Sequence, residues 1–210
     1  MNNPDFTIAA FGDSITQAVE VSEEKRWPAL LATALQVRVV NCGVGGNTSR
    51  EGLARIDGVL ACAPNLVLIE FGGNDTTDEM HRYVDLEEFA HNLDQMLSTF
   101  LNADAEIALL TFPPVVEEWS SHNEKAWNQQ HGGIDRHVEL YRQATRHFAQ
   151  THQLMLIDID SALRDAGKRS GWNKLFQPDG VHLTETGNSV VCETVYLKLQ
   201  QMSSLATAEG

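Results

Sequence analysis

Residues 7–17 read TIAAFGDSITQ, a near-continuous apolar run that breaks on Gly12-Asp13 and delivers a serine to whatever follows. A strand covered by helices on both faces has this signature, because neither face is left to alternate with polar residues. Four more runs match it: VRVVN at 37–41, LVLIEF at 66–71, EIALLT at 106–111 and LMLIDI at 154–159. Helical patterns separate them. Leu86, Phe89, Ala90, Leu93, Met96, Leu97 and Phe100 recur at three- and four-residue spacing, with Asp85 and Glu88 forming a cap. Ile134, Val138, Tyr141, Thr145 and Phe148 repeat the pattern, and a last helix is predicted from about Glu185 to Leu199. Such alternation predicts an α/β fold with a parallel sheet of about five strands between two helical layers. Right-handed crossovers then bring every strand's carboxyl end to one edge, where ligands bind in such sheets.

The chain has 210 residues, room for one domain spanning 1–210, with 201–210 read as a flexible tail. A net charge of -14 excludes the basic face that a nucleic-acid partner needs and disfavours anionic membranes. Neutral small molecules suit it better. No apolar stretch approaches the roughly 20 residues of a membrane span. The opening MNNPDFTIAAFGDS has neither a basic start nor a long apolar core, so it does not read as a signal peptide. Cys42, Cys62 and Cys192 form no disulfide framework, and an odd count fits a reducing compartment. The expectation is a cytoplasmic protein.

Four polar stretches map to the carboxyl edge: Gly12-Asp13-Ser14, then NCGVGGNTSREG at 41–52, FGGNDTTD at 71–78 and PDGVHLTETG at 178–187. Each alone has an ordinary explanation. Ser14-Ile15-Thr16-Gln17 fits a helix capping box, Asn74-Asp75 an Asx turn, and Pro178-Asp179-Gly180 a simple turn. Together they hold every part that acyl transfer requires. A serine nucleophile needs a base, and the base needs a carboxylate to fix its tautomer. His182 and Asp179, three apart across a turn, can keep that relation locally. A tetrahedral intermediate needs donors aimed at its oxyanion, and the N–H groups of Ser14 and Gly46 with the Asn74 amide can supply them.

In FGDSIT, NCGVGGNTSREGLARI, IEFGGND and PDGVH, in that order, the chain resembles the SGNH, or GDSL, hydrolases over about residues 7–199. The resemblance puts the family's serine, glycine, asparagine and histidine on Ser14, Gly46, Asn74 and His182, and its triad aspartate on Asp179. It leaves Gly45 as the alternative to Gly46. It implies a three-layer, flavodoxin-like sandwich, no metal or other cofactor, and hydrolysis of esters or thioesters. Ile15 stands where the family name has leucine.

The remaining histidines lack metal-ligand spacing, and no G-x-S-x-G elbow is present. Asp13 is read as organising the serine turn, Cys42 as a small packing residue. Residues 113–132 form a long connection after the fourth strand and are expected to overhang the site. Trp119 and Trp127 there, and Trp172 and Phe176 before Asp179, are candidate pocket residues, with plain packing an equal account. Residues 17–27 are a further candidate wall or a solvated face. Small-acyl ester hydrolysis is the first reading; a lysophospholipase or acyl thioesterase is the alternative, and a flavodoxin-like binding module a third. The sequence leaves the acyl group, the alcohol and the oligomeric state open.

Overall fold

The computed structural model describes the backbone of residues 6–208 and the side chains as far as Gln201. In chain order come β1 (Thr7–Gly12), α1 (Ser14–Gln17), α2 (Trp27–Leu35), β2 (Arg38–Gly43), α3 (Ser49–Leu53), α4 (Ile56–Leu60) and β3 (Leu66–Glu70). There follow α5 (Leu86–Leu101), β4 (Glu106–Leu110), α6 (Ala126–Gln129), α7 (Ile134–Thr151), β5 (Met155–Ile157), α8 (Ile159–Ser170) and α9 (Glu185–Ala208). All strand pairings are parallel, in the order β2-β1-β3-β4-β5. This is the flavodoxin order, in which the chain reverses direction between β1 and β3.

Alternate strand residues feed two cores, as a period of two requires. Ile8, Ala10, Leu66 and Leu68 face α2, α8 and α9, joined by Leu31, Leu163 and Val195. Ala9, Phe11, Val67 and Ile69 face α4, α5 and α7, joined by Val59, Phe89, Phe100 and Phe148. Phe11 is gripped edge-on by Phe71 and Phe100. The expected three-layer sandwich is therefore present.

Two expectations about the elements need correction. Only β1, β3 and β4 are buried as their apolar runs suggested; β2 is exposed to half-buried along its whole length, and two of the three β5 residues are half-buried. Those two are the edge strands, and each has a neighbour on one side alone. The last helix also runs past Leu199 to Ala208, through most of the segment read as a tail; residues 209–210 lie outside the described residues. The Asp85 cap is as expected, its side chain accepting from Glu88 N–H.

A buried ion network ties α7 and α8 to the carboxyl end of β4. Arg142, with no exposed surface, donates to the Phe112 and Pro113 carbonyls and pairs with Asp135 at 2.5 Å. Removing one partner of such a pair strands the other charge in low dielectric.

Candidate active site

β1 ends at Gly12, and Asp13 turns the chain into α1. The capping box expected of Ser14 does not form. Asp13 is the cap, its Oδ1 accepting from Ile15 N–H at 2.8 Å, while Gln17 Oε1 accepts from Gly45 N–H at 2.8 Å. Ser14 is thereby left as the first helical residue, with its hydroxyl free for other partners. Trp27 steadies the turn from below, donating from its indole to the Ile15 carbonyl at 3.1 Å.

Ser14 Oγ lies 3.0 Å from His182 Nε2, and His182 Nδ1 lies 2.5 Å from Asp179 Oδ2. The second contact is local. Asp179 Oδ1 also accepts the N–H groups of Val181 and His182, so carboxylate and ring are held by the same turn. Partial burial works against the charge on Asp179. The hydrogen bonds from Val181 and from the His182 ring outweigh it and hold the carboxyl below its usual range. The left-handed Gly180 (φ 72°) packs its bare Cα on the Val116 carbonyl, 2.4 Å from where a Cβ would stand.

The glycine loop after β2 gives Gly46 a left-handed φ of 78°. Gly45 N–H is taken by Gln17, whereas those of Gly46 and Ser14 have no acceptor among the described residues. This favours Gly46 over Gly45 as a donor to a bound group. Asn74, on the 3-10 turn Asn74–Thr76, already uses both amide hydrogens: Nδ2 donates to Asp13 Oδ2 at 2.7 Å and to the Asn47 carbonyl at 3.1 Å. Asp75 beside it is fully buried and ties this turn to α3 through Ser49 Oγ at 2.5 Å. Burial pushes its carboxyl up to about 6 against the Ser49 hydrogen bonds.

A cavity of about 300 Å³ opens beside Ser14, Asn74 and His182. Its apolar wall is Phe112, Val115, Ile134 and Val138, and its mouth carries Asp78, Arg82, His122 and Lys125. Lys125 and Asp78 pair across the mouth at 2.9 Å. The connection 113–132 thus overhangs the site as expected, but the aromatics named from the sequence do not wall this cavity. Trp127 donates to the Thr76 carbonyl and sits edge-on to Tyr83, because its half-buried ring is drawn into an aromatic cluster with Tyr83, His131 and His137. Trp172 covers Gly167 of α8, and Phe176 is buried in the core. Trp119 and Phe176 do line a separate hollow with Gln177 and Pro178. Residues 17–27 stay outside the cavity, Glu23, Glu24 and Lys25 forming a solvated face. Cys42 is half-buried against the core on the α4 and α5 side, and all three cysteines are free.

Sequence reasoning missed the apolar wall. Phe112 and Val115 follow directly on the carboxyl end of β4, which was a usable signal. Ile134 and Val138 look like any core-facing stripe, and nothing marked them.

A parallel sheet in this order, carrying a hydrogen-bonded serine, histidine and aspartate at its carboxyl edge, fits a hydrolase built on a three-layer, flavodoxin-like sandwich and not on the fold that carries a G-x-S-x-G elbow. A family model described as GDSL-like Lipase/Acylhydrolase matches residues 10–190, and the chain belongs to that family. It is 27% identical over 203 residues to GDSL esterase/lipase WDL1 of Oryza sativa subsp. japonica, covering 91% of this chain and 76% of that one. It is 36% identical over 107 residues, 50% of each chain, to thioesterase 1/protease 1/lysophospholipase L1 of Escherichia coli (strain K12). Axe2, an acetylxylan esterase from Geobacillus stearothermophilus, shares the fold with a TM-score of 0.75 at 22% identity, over 93% of this chain and 94% of that one. The protein is an esterase. Among the described residues no helix is long and apolar enough to cross a membrane.

Proposed function

We propose that the chain is one catalytic domain that hydrolyses small-acyl esters of neutral molecules through an acyl-enzyme on Ser14. The observation that carries this reading is the unbroken relay from Ser14 Oγ to His182 at 3.0 Å and on to Asp179 at 2.5 Å. His182 Nε2 takes the serine proton as Oγ attacks the ester carbonyl, then returns it to the leaving alcohol. Asp179 holds the Nδ1–H tautomer and stabilises the imidazolium. Water, activated by the same histidine, frees the acid and restores Ser14. The developing oxyanion meets the open N–H groups of Ser14 and Gly46, and the Asn74 amide. The longer Asn74 bond, to the Asn47 carbonyl, is the one the oxyanion shares or replaces.

No metal or other cofactor has a part in this scheme. A cavity of about 300 Å³ with an apolar wall supports a short acyl group over a long chain. The relative from Escherichia coli keeps a lysophospholipase or thioesterase reading as the alternative. Free cysteines support a reducing compartment.

Incubation with a fluorophosphonate probe should label Ser14 alone, and Ser14→Ala should abolish both labelling and turnover. On p-nitrophenyl esters and acyl thioesters of rising chain length, kcat/KM should peak at short acyl esters. Unlabelled Ser14 in active protein would remove the mechanism, and a peak at long chains or at thioesters would move the substrate to the alternative.

A further inference from the structure

Directly beneath the nucleophile lie two carboxyl groups that the proposed chemistry does not use. Asp13 has no exposed surface, and Glu70, the last residue of β3, is 1% exposed. Their partners are unequal. Both Asp13 oxygens receive donors, Ile15 N–H at 2.8 Å and Asn74 Nδ2 at 2.7 Å, so Asp13 is bonded as an ionised acceptor. Glu70 Oε2 accepts from the Thr16 hydroxyl at 3.0 Å and the Asp13 N–H also favours its charge, but Oε1 is a buried oxygen with no partner. The bare Cα of Gly12 leaves the room the Glu70 carboxyl occupies, since a Cβ there would stand 2.9 Å from Oε2. No cation is hydrogen-bonded to either carboxyl. The Arg55 guanidinium spends its hydrogen bonds on Asn47 Oδ1 and on the Cys42 and Gly12 carbonyls.

We propose that Glu70 is a positioning residue that retains its proton and donates it to Asp13, keeping the Asp13 carboxylate as the acceptor that aims the Asn74 amide. This rests on the oxyanion role given to Asn74 above. Glu70 stands opposite Gly12 in the sheet register, which brings its carboxyl to hydrogen-bond with that of Asp13; two buried carboxyls so placed cannot both ionise, so one proton must stay between them. It stays on the partner with an orphaned oxygen. Protonation also turns the orphaned group into a donor, which removes the cost of an unsatisfied buried oxygen. The electrostatics agree in direction. Burial, and then the Asp13 charge, push the Glu70 carboxyl well above its usual range. Burial raises Asp13 as well, to about 7, while the hydrogen bonds from Ile15 and Glu70 pull it back. The other charged groups facing Asp13 are Asp75, which raises it, and His182 and Arg55, which favour its charge.

Without the Glu70 proton, Asp13 would have to take one itself. A protonated Asp13 Oδ2 is a poorer acceptor for Asn74 Nδ2, and the amide loses its fixed aim. The loss falls on the transition state and not on substrate binding, because the oxyanion exists only there.

The test compares Glu70→Gln with Glu70→Leu, and reads the carboxyl directly by infrared difference spectroscopy. Glutamine keeps the shape and always carries a donor, so Glu70→Gln should hold kcat near wild type at neutral pH. Glu70→Leu removes the donor and should lower kcat about tenfold or more with KM little changed, a fraction of what losing a whole oxyanion donor costs. The wild-type spectrum at about pH 8, about one unit above the Asp13 value, should show a protonated carboxyl band that Glu70→Gln lacks. An unchanged band would show Glu70 ionised and overturn the proposal even if the leucine variant does not fold. A glutamine variant as impaired in kcat as the leucine one would overturn the donor role. Failure of the Ser14 assignment would appear separately, as absent probe labelling, and would leave the infrared result standing.

Discussion

Ser14 and Asn74 each had an ordinary structural reading in the sequence, and in the structure the two part company from it differently. Asp13 takes over the cap that Ser14 was suited to provide, which leaves the serine hydroxyl to His182. Asn74 makes no Asx turn; its side chain reaches across to Asp13 and Asn47. Asn74→Ala should therefore lower kcat by about 10²–10³ with little change in KM, the usual cost of one oxyanion donor. Asn74→Asp should be at least as damaging and should also lower the melting temperature, since it sets a carboxylate 2.7 Å from that of Asp13. Steady-state kinetics and thermal melts of both variants check this. Near-normal kcat in Asn74→Asp would take Asn74 out of the oxyanion hole.

Among the elements, the contact between β2 and α1 sets the position of Ser14. Gly43 ends β2 with its bare Cα against the backbone of α1; a Cβ there would stand 2.1 Å from Gln17 N. Backbone cannot rotate aside as a side chain can. Gly43→Ala should cost about 3 kcal/mol of stability, the upper end for overpacking, and should slow probe labelling of Ser14 by displacing α1. Gly46→Ala is the contrast three residues on. Its Cβ would meet nothing within 4 Å, so only the left-handed φ of 78° is strained, at about 1 kcal/mol. Chemical denaturation with labelling kinetics distinguishes the two. Equal losses would mean that close packing on α1 is not what Gly43 provides.

For the whole molecule, the buried acids set the pH dependence of stability. Asp13 is raised to about 7 and Asp75 to about 6, both by burial first, and Glu70 goes well above its usual range. Between its unfolded and folded values a raised carboxyl is protonated in the folded chain and ionised in the unfolded one; above the folded value it is ionised in both, as Asp13 is at about pH 8. Its stabilisation is complete below the unfolded value of about 4 and is lost as pH rises through the folded value. Asp135 and Asp158 act oppositely: burial opposes their charge, but Arg142 and Arg146 outweigh it, and their contribution is lost as pH falls below about 4. The net charge of -14 adds self-repulsion toward neutral pH. Thermal melts should thus give a maximum near about pH 5 and a decline toward about pH 8, with Glu70→Gln flattening the decline. A melting temperature that climbs steadily to pH 8 would contradict the assignment of these three acids.

The sequence by itself determined the sheet, its central strands, the α5 and α7 stripes and the four polar stretches at one edge. Those follow from short-range rules: apolar runs, helical spacing, and turn residues at strand ends. His182 and Asp179 were legible for the same reason, being three residues apart on one turn. Distance along the chain hid the rest. That Gln17 would satisfy Gly45, that Ile134 and Val138 of α7 would wall the cavity, and that Trp127 would turn away into Tyr83 depend on segments that meet only after folding. Glu70 shows the limit most plainly. In sequence it is one polar residue ending an apolar run; only the fold brings it against Asp13, 57 positions away, with no cation bonded to it and a hydrogen-bond partner for one oxygen alone. Its protonation is a property of that burial, and burial is what tertiary structure decides.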